Sequence, residues 1–266
     1  MPINTFIRLY ETRYNTWVYS TKDDVKELLL TTPILNNSLS SYKLADPLNS
    51  FNQNSIIDPL NFRKLILNLN EPGHEAKIPT VSVFKNLETT KDKDTSAKIG
   101  GVTIISPKDL KGYIENDEAQ GLQFMSDETV QSSITVKKNN KPITLTLTNI
   151  EAKVKPVVEN STVRFDIELS LEASVSEFEE KLTIQEIKKE VRTEVEKRIR
   201  STYEAALAID TDAYRLSESL YRSDVKSWKK FQKNGKVQLN EDSIRSIEVN
   251  VKKVKSGRKS FVESVK

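Results

Sequence analysis

The chain has 266 residues with no cysteine, one histidine, 36% hydrophobic and 30% charged residues, and a formal net charge of +3. Its length lets it bury a sizeable core and leaves room for two domains. The missing cysteine excludes disulfides, thiol nucleophiles and Cys-ligated zinc, and with His74 as the sole imidazole no multi-histidine metal site can form. Any Ser-His-Asp triad would have to run through that residue. No segment approaches the roughly 20 apolar residues that cross a bilayer, and Met1-Pro2-Ile3-Asn4-Thr5-Phe6 offers neither a basic nor an apolar leader region. Charge is uneven: from Tyr221 to Lys266 there are 13 Lys and Arg against 5 Asp and Glu.

In chain order, Tyr14 to Tyr19 is aromatic and β-prone. It ends at Thr21-Lys22-Asp23-Asp24, a hydroxyl N-cap followed by first-turn acids, which predicts a helix over 22–30. Asp58-Pro59 supplies a second N-cap with proline at the first helical position, and Leu60, Leu65, Ile66 and Leu69 give that helix its apolar face. Glu71-Pro72-Gly73-His74 reads as a turn, and 78–84 as a strand opened by Pro79. Residues 85–98 read as a polar loop and 99–105 as a second strand. Ser106-Pro107-Lys108-Asp109 caps a short helix or turn, and Asn116-Asp117-Glu118 opens a helical turn ending near Gly121.

From Thr129 the hydrophobic period becomes two. Ile143, Leu145 and Leu147 alternate with threonines, and Val163, Phe165, Ile167, Leu169 and Leu171 alternate with polar residues, as in antiparallel strands with one buried face. Asn139-Asn140 and Glu159-Asn160-Ser161 are hairpin turns in this reading. Thr183-Ile184-Gln185-Glu186 fits a capping box ahead of a long amphipathic helix over 184–208, with Ile184, Ile187, Val191, Val195 and Ile199 on one face. Asp210-Thr211-Asp212 breaks and recaps the chain before a second helix marked by Ala213, Leu216, Leu220 and Tyr221. Ile247, Val249 and Val251 form a returning strand. The expected architecture is α+β, antiparallel or mixed sheets packed with amphipathic helices, in two domains over 1–127 and 128–266.

Few residues suggest chemistry. His74 in its turn reads as a solvated histidine, since nothing in the sequence signals a nucleophile or an orienting group for it. Gly100-Gly101 lacks the remainder of any phosphate-binding motif and reads as tight strand packing or a bulge. Among the carboxylates Asp166, Glu168, Glu172, Glu177, Glu179 and Glu180, the first two lie opposite Phe165 and Ile167 on the wet face, and no paired-acid hydrolase site is suggested. Alternating charges between Lys181 and Arg200, such as Glu194 with Arg198, read as exposed helix pairs. The basic segment from Tyr221 to Lys266 has two functional readings, contact with nucleic acid or with anionic lipid, and both would use Ser227-Trp228-Lys229-Lys230-Phe231, which interleaves aromatics with lysines. Its third reading is a helix that packs Trp228 and Phe231 inward while the lysines reach water.

Read in order, several segments resemble the Ger(x)C family, the C subunits of bacterial spore germination receptors. Gly101-Val102-Thr103-Ile104-Ile105, Leu110-Lys111-Gly112-Tyr113-Ile114 and Glu118-Ala119-Gln120-Gly121-Leu122 look like the family's strand-and-glycine stretch. Lys153 to Asn160, which contains Pro156, and Val163-Arg164-Phe165-Asp166-Ile167 are similar to its paired strands. Thr211-Asp212-Ala213-Tyr214, Leu220-Tyr221 and Trp228-Lys229 resemble its late helix. Ala206 and Ser217 depart from the glutamine and glycine the family favours there. The resemblance implies a non-enzymatic receptor subunit, without cofactor or metal, lipid-anchored at the outer face of the spore inner membrane. Its implied partners are membrane-embedded A- and B-type subunits and the membrane surface, with no nucleic acid. Gly101, Gly112, Gly121, Pro156, Phe165, Asp212, Tyr221 and Trp228 are then packing positions. Family members begin with a secretory signal and a lipid-modified cysteine, so Met1 is expected to fall inside the family architecture and the first domain to be incomplete.

Overall fold

In the computed structural model, residues 13–31, 47–48, 56–85, 95–138, 141–159, 162–177 and 183–256 are described. The expected turn at Asn139-Asn140, residues 160–161 of the second hairpin turn, most of the Asn- and Ser-rich stretch after Thr31, and Glu179 and Glu180 lie outside them. The fold is α+β. Its elements are α1 (Val25–Leu30), α2 (Phe62–Asn70), β1 (Ala76–Lys85), β2 (Thr95–Ile105), β3 (Leu110–Glu115), a 3-10 helix (Ala119–Phe124), β4 (Gln131–Lys138), β5 (Lys141–Glu159) and β6 (Thr162–Glu177). There follow α3 (Ile184–Ala208), α4 (Leu216–Ser223), α5 (Val225–Phe231), the short pair β7 (Gln232–Lys233) and β8 (Lys236–Val237), and β9 (Ile244–Ser256).

The first sheet is the antiparallel meander β1-β2-β3. Thr80 faces Gly101 while Val81 faces Ile99, so Gly100 is an extra residue in β2 and the glycine pair forms the expected bulge. Pairing continues to Lys85 with Thr95, so strand occupies both ends of the segment expected as loop. Pro79 sits inside β1 and not at its start. It is accommodated because β1 is an edge, where the Pro79 carbonyl accepts from Ser20 N and Val81 N donates to Ser20 O.

The second sheet has the order β4-β5-β6-β9, with β9 parallel to β6 and the other neighbours antiparallel. A parallel return needs a long crossover, which α3 to β8 supply. The alternation in β6 fixes its orientation: Phe165, Ile167, Leu169, Leu171, Ala173 and Val175 are buried and face a core shared with Leu145 and Leu147 of β5 and Val249 and Val251 of β9. Helix α3 covers that face with Ile187, Val191, Val195, Ile199, Tyr203 and Ala206. Removing each large aliphatic from water contributes roughly 1.5–3 kcal/mol. Val102, Ile104 and Ile114 of the first sheet join the same core.

Local capping explains where helices start. In α3 the Thr183 hydroxyl accepts from Glu186 N at 3.2 Å while the Glu186 carboxylate accepts from Thr183 N at 2.9 Å, the expected reciprocal pair. Two helix starts are corrected. Helix α1 begins at Val25 and not Lys22, because Asp24 is its cap and Asp23 instead accepts from Val83 N of β1 at 2.7 Å. Helix α2 is capped by Asn61 and not by Asp58, with Asn61 Oδ1 accepting from Lys64 N at 2.9 Å. Asp58 is drawn away to accept a hydrogen bond from the Ser126 hydroxyl at 2.7 Å.

Candidate functional site

The densest group of buried polar side chains lies where the 71–77 turn and start of β1 meet the 210–218 segment. Gly73 makes the approach: its φ of 72° turns the chain, and a Cβ there would stand 2.7 Å from Ser217 Oγ. His74 and Glu75 follow, both 6% exposed. The reading of His74 as a solvated turn residue is therefore corrected. The turn packs against α4, which covers the imidazole and places Glu218 Oε2 3.3 Å from His74 Nδ1.

Glu218 is itself 3% exposed and gathers cations. Arg215 Nε donates to Oε2 at 2.6 Å, Arg215 Nη2 to Oε1 at 3.2 Å, and Arg222 pairs with Oε1 at 2.6 Å. Burial opposes ionisation of this carboxyl, yet the imidazole of His74 beside it, the hydrogen bonds from Arg215 and the Arg215 charge outweigh it and bring it down to about 2. Burial, in turn, lowers His74 below the usual imidazole value, so the ring stays neutral near pH 7.

Asp212 organises the other half. Both its carboxylate oxygens accept backbone N–H bonds, from Leu216 at 2.9 Å and Ser217 at 2.7 Å, which caps α4 because Arg215 at the formal cap lies in the left-handed region with φ 60°. The Asp212 N–H donates to Glu75 Oε2 at 2.8 Å, and Glu75 Oε1 lies 3.3 Å from Lys236 Nζ. Lys77 donates to the Ala213 carbonyl at 2.8 Å, and burial depresses its ammonium from the usual lysine value. Ser217 Oγ accepts from Val237 N and from the Trp228 indole N–H. Acid and base thus alternate, and the segments are stitched together by their charges.

Burial pushes the Asp212 carboxyl up to about 6, against the two backbone donors. Between 3.8 and about 6 the folded state holds a proton that the unfolded chain releases, so the stability this group contributes declines as pH rises through that window. Asp212→Asn removes the titration. Denaturant unfolding below and above the window is expected to show the variant gaining about 3 kcal/mol on the parent as pH rises. A constant gap between the two would contradict the assignment.

Glu71, His74 and Glu218 place one ligand atom each within 4.8 Å of one another. Their charges are already met: Arg222 pairs with Glu71 and Glu218 and Arg215 with Glu218, so a divalent ion would have to displace two guanidiniums. The donor set does not fit a metal centre. Beside the cluster, a cavity of about 230 Å³ is lined by Asp58, Lys77, His74 and Arg215 against Leu60, Leu122 and Met125.

The eight family positions do not converge on one chemical centre. Gly101 lies in β2, where a Cβ would be 2.3 Å from the Ile114 carbonyl, and at Gly112 in β3 a Cβ would be 3.0 Å from the Ile209 side chain. Gly121 in the 3-10 helix meets α3 and Tyr214. Pro156 faces Phe165 across β5 and β6. Asp212 joins the buried cluster, and Tyr221 meets the Trp228 ring edge-on at 5.0 Å beside it. The strand acids are surface pairs: Asp166 accepts two bonds from Arg245, Glu168 pairs with Lys155 and Glu172 with Lys255. Glu194 and Arg198 form the expected i,i+4 pair.

The chain matches the family model described as spore germination B3/GerAC like, C-terminal, over residues 100–257, and that of the spore germination protein N-terminal domain over residues 2–83. It belongs to this Ger(x)C family of spore germination proteins, as its motifs suggested. Its fold is similar to that in the crystal structure of the GerBC protein, with a TM-score of 0.69 at 17% identity, covering 96% of this chain and 72% of that one. No curated protein matches the chain.

Proposed function

We propose that the chain serves as the C-type subunit of a nutrient germinant receptor, a non-enzymatic component that assembles with membrane-embedded A- and B-type subunits at the outer face of the spore inner membrane. Membership of the spore germination family carries this reading. A structural observation favours a scaffold over a catalyst: the buried acids Glu75, Asp212 and Glu218 are engaged by Lys236, backbone N–H groups and arginines, and so are committed to holding segments together. In the same reading Gly101, Gly112, Gly121, Pro156, Phe165, Tyr221 and Trp228 serve packing, and Asp212 serves capping. Among the described residues no helix is long and apolar enough to cross a membrane.

The test is affinity capture of the tagged full chain from detergent-solubilised spore membranes. Co-purification of permease-like membrane proteins encoded beside it is expected. Recovery of the chain alone in mild detergent, together with turnover of a substrate by the purified protein, would overturn the proposal.

A further inference from the structure

The basic excess of the C-terminal segment is not evenly available. Arg222 is held by Glu71 and Glu218, Lys236 by Glu75 and Asp210, Arg245 by Asp166 and Glu159, Lys252 by Glu151 and Lys255 by Glu172. The cations on α5 differ. Lys226, Lys229 and Lys230 stand at i, i+3 and i+4 and share one face, and all three are exposed, as is Lys233 at the start of the adjoining hairpin. None of the four ammonium groups has an ion-pair partner among the described residues, and the one ring contact is that of Lys230 Nζ, 5.1 Å from the centroid of the neighbouring Phe231.

The opposite side of α5 is spoken for. Trp228 packs against the core, meets Tyr221 edge-on at 5.0 Å and donates to Ser217 Oγ at 3.3 Å. Asp224 caps the helix by accepting from Lys226 N and Ser227 N. With the aromatic side pinned and the start capped, the lysine face is held toward solvent.

We propose that this face, Lys226, Lys229, Lys230 and Lys233, docks on an anionic phospholipid surface. Three observations favour lipid over other polyanions. The patch is built of lysine without arginine, a compact hydrated charge suited to diffuse attraction to headgroups and poor at bidentate phosphate readout. Trp228, the aromatic best suited to stacking on bases, points the other way into the core. Val225 is 43% exposed at the start of the same helix, which adds a shallow apolar contact. The core of a protein interface, by contrast, is depleted in lysine.

The inference deepens the membrane part of the proposed function, but its test does not depend on it, because it uses the purified full chain and vesicles alone. In flotation assays the chain is expected to bind vesicles of phosphatidylglycerol mixed equally with phosphatidylcholine, to ignore pure phosphatidylcholine, and to release as salt is raised. Each lysine at the surface is worth about fivefold in binding, so Lys226→Glu/Lys229→Glu/Lys230→Glu/Lys233→Glu is expected to lose several hundredfold or more. The charge-matched variant Lys26→Glu/Lys189→Glu/Lys197→Glu/Lys253→Glu, on exposed sites elsewhere, is expected to lose far less. Should the patch variant unfold, the four Lys→Gln changes carry the same reading with a smaller loss. Equal losses in patch and control variants, undiminished binding by the patch variant, or preference for duplex DNA over anionic vesicles at equal phosphate would each overturn the proposal. A failure here with membrane partners still captured would remove the lipid face and leave the subunit reading standing.

Discussion

Gly121→Ala is expected to destabilise the fold by about 3 kcal/mol or more, lowering the melting temperature by about 6–12 °C for a chain of this size. The added Cβ would lie 2.3 Å from Tyr214 Oη, 2.6 Å from the Arg198 carbonyl and 2.8 Å from Thr202 Oγ1. None of these can move cheaply. The Tyr214 hydroxyl donates to the Ile199 carbonyl at 2.8 Å, the Arg198 carbonyl belongs to the backbone of α3, and Thr202 Oγ1 accepts from Gly121 N at 2.8 Å while donating to the Glu118 carbonyl. The glycine therefore sets how closely the 3-10 helix approaches α3. Gly235→Ala is the comparison: a Cβ there meets nothing within 4 Å, and only the left-handed φ of 88° opposes it, worth about 1–2 kcal/mol. Equal losses at the two sites by calorimetry would contradict the packing argument.

Glu218→Ala is expected to cost about 3 kcal/mol, at the lower end for breaking a buried ion pair. Arg215 and Arg222 have side chains 40% and 61% exposed, so water recovers part of what they lose. The pH dependence separates this from simple loss of packing. A carboxyl lowered from 4.5 to about 2 contributes stability that is full above 4.5 and disappears as pH falls toward 2. His74 adds in the same direction: its folded value is lowered, so the unfolded chain takes up a proton first as pH drops through 6.5. Glu218→Gln is expected to lie well below the parent in denaturant unfolding at neutral pH and to converge on it in acid. Parallel curves would mean that the carboxylate's charge is not what holds the cluster.

Local patterns carried most of the architecture. The period of two in β5 and β6 and the capping box of α3 depend on neighbours in sequence, so their residues declare them without help from the rest of the chain. Local pattern misleads where distant partners compete. Asp58 has every local feature of a helix cap, yet Ser126 takes its carboxylate and Asn61 caps instead. The buried cluster was the least legible part, because His74 and Glu75 meet Glu218, Asp212 and Lys236 only through the tertiary fold. Gly73 gave no local signal of this, because its φ of 72° asks for glycine whether or not anything approaches, as Gly235 with a φ of 88° and nothing within 4 Å of its Cβ position shows. Trp228 and Phe231 show a divided case: the spacing that places both across α5 from the lysines is readable from sequence, and Trp228 does pack on the core, whereas Phe231 is half-buried outside it with Lys230 Nζ 5.1 Å from its ring centroid.

A germination assay addresses the receptor role itself. Spores lacking the gene are expected to lose their response to a nutrient germinant, regain it with the parental gene, and fail to regain it with the Gly121→Ala form if that protein does not accumulate. Deleted spores that germinate on every nutrient at the parental rate would contradict the assignment as a receptor subunit.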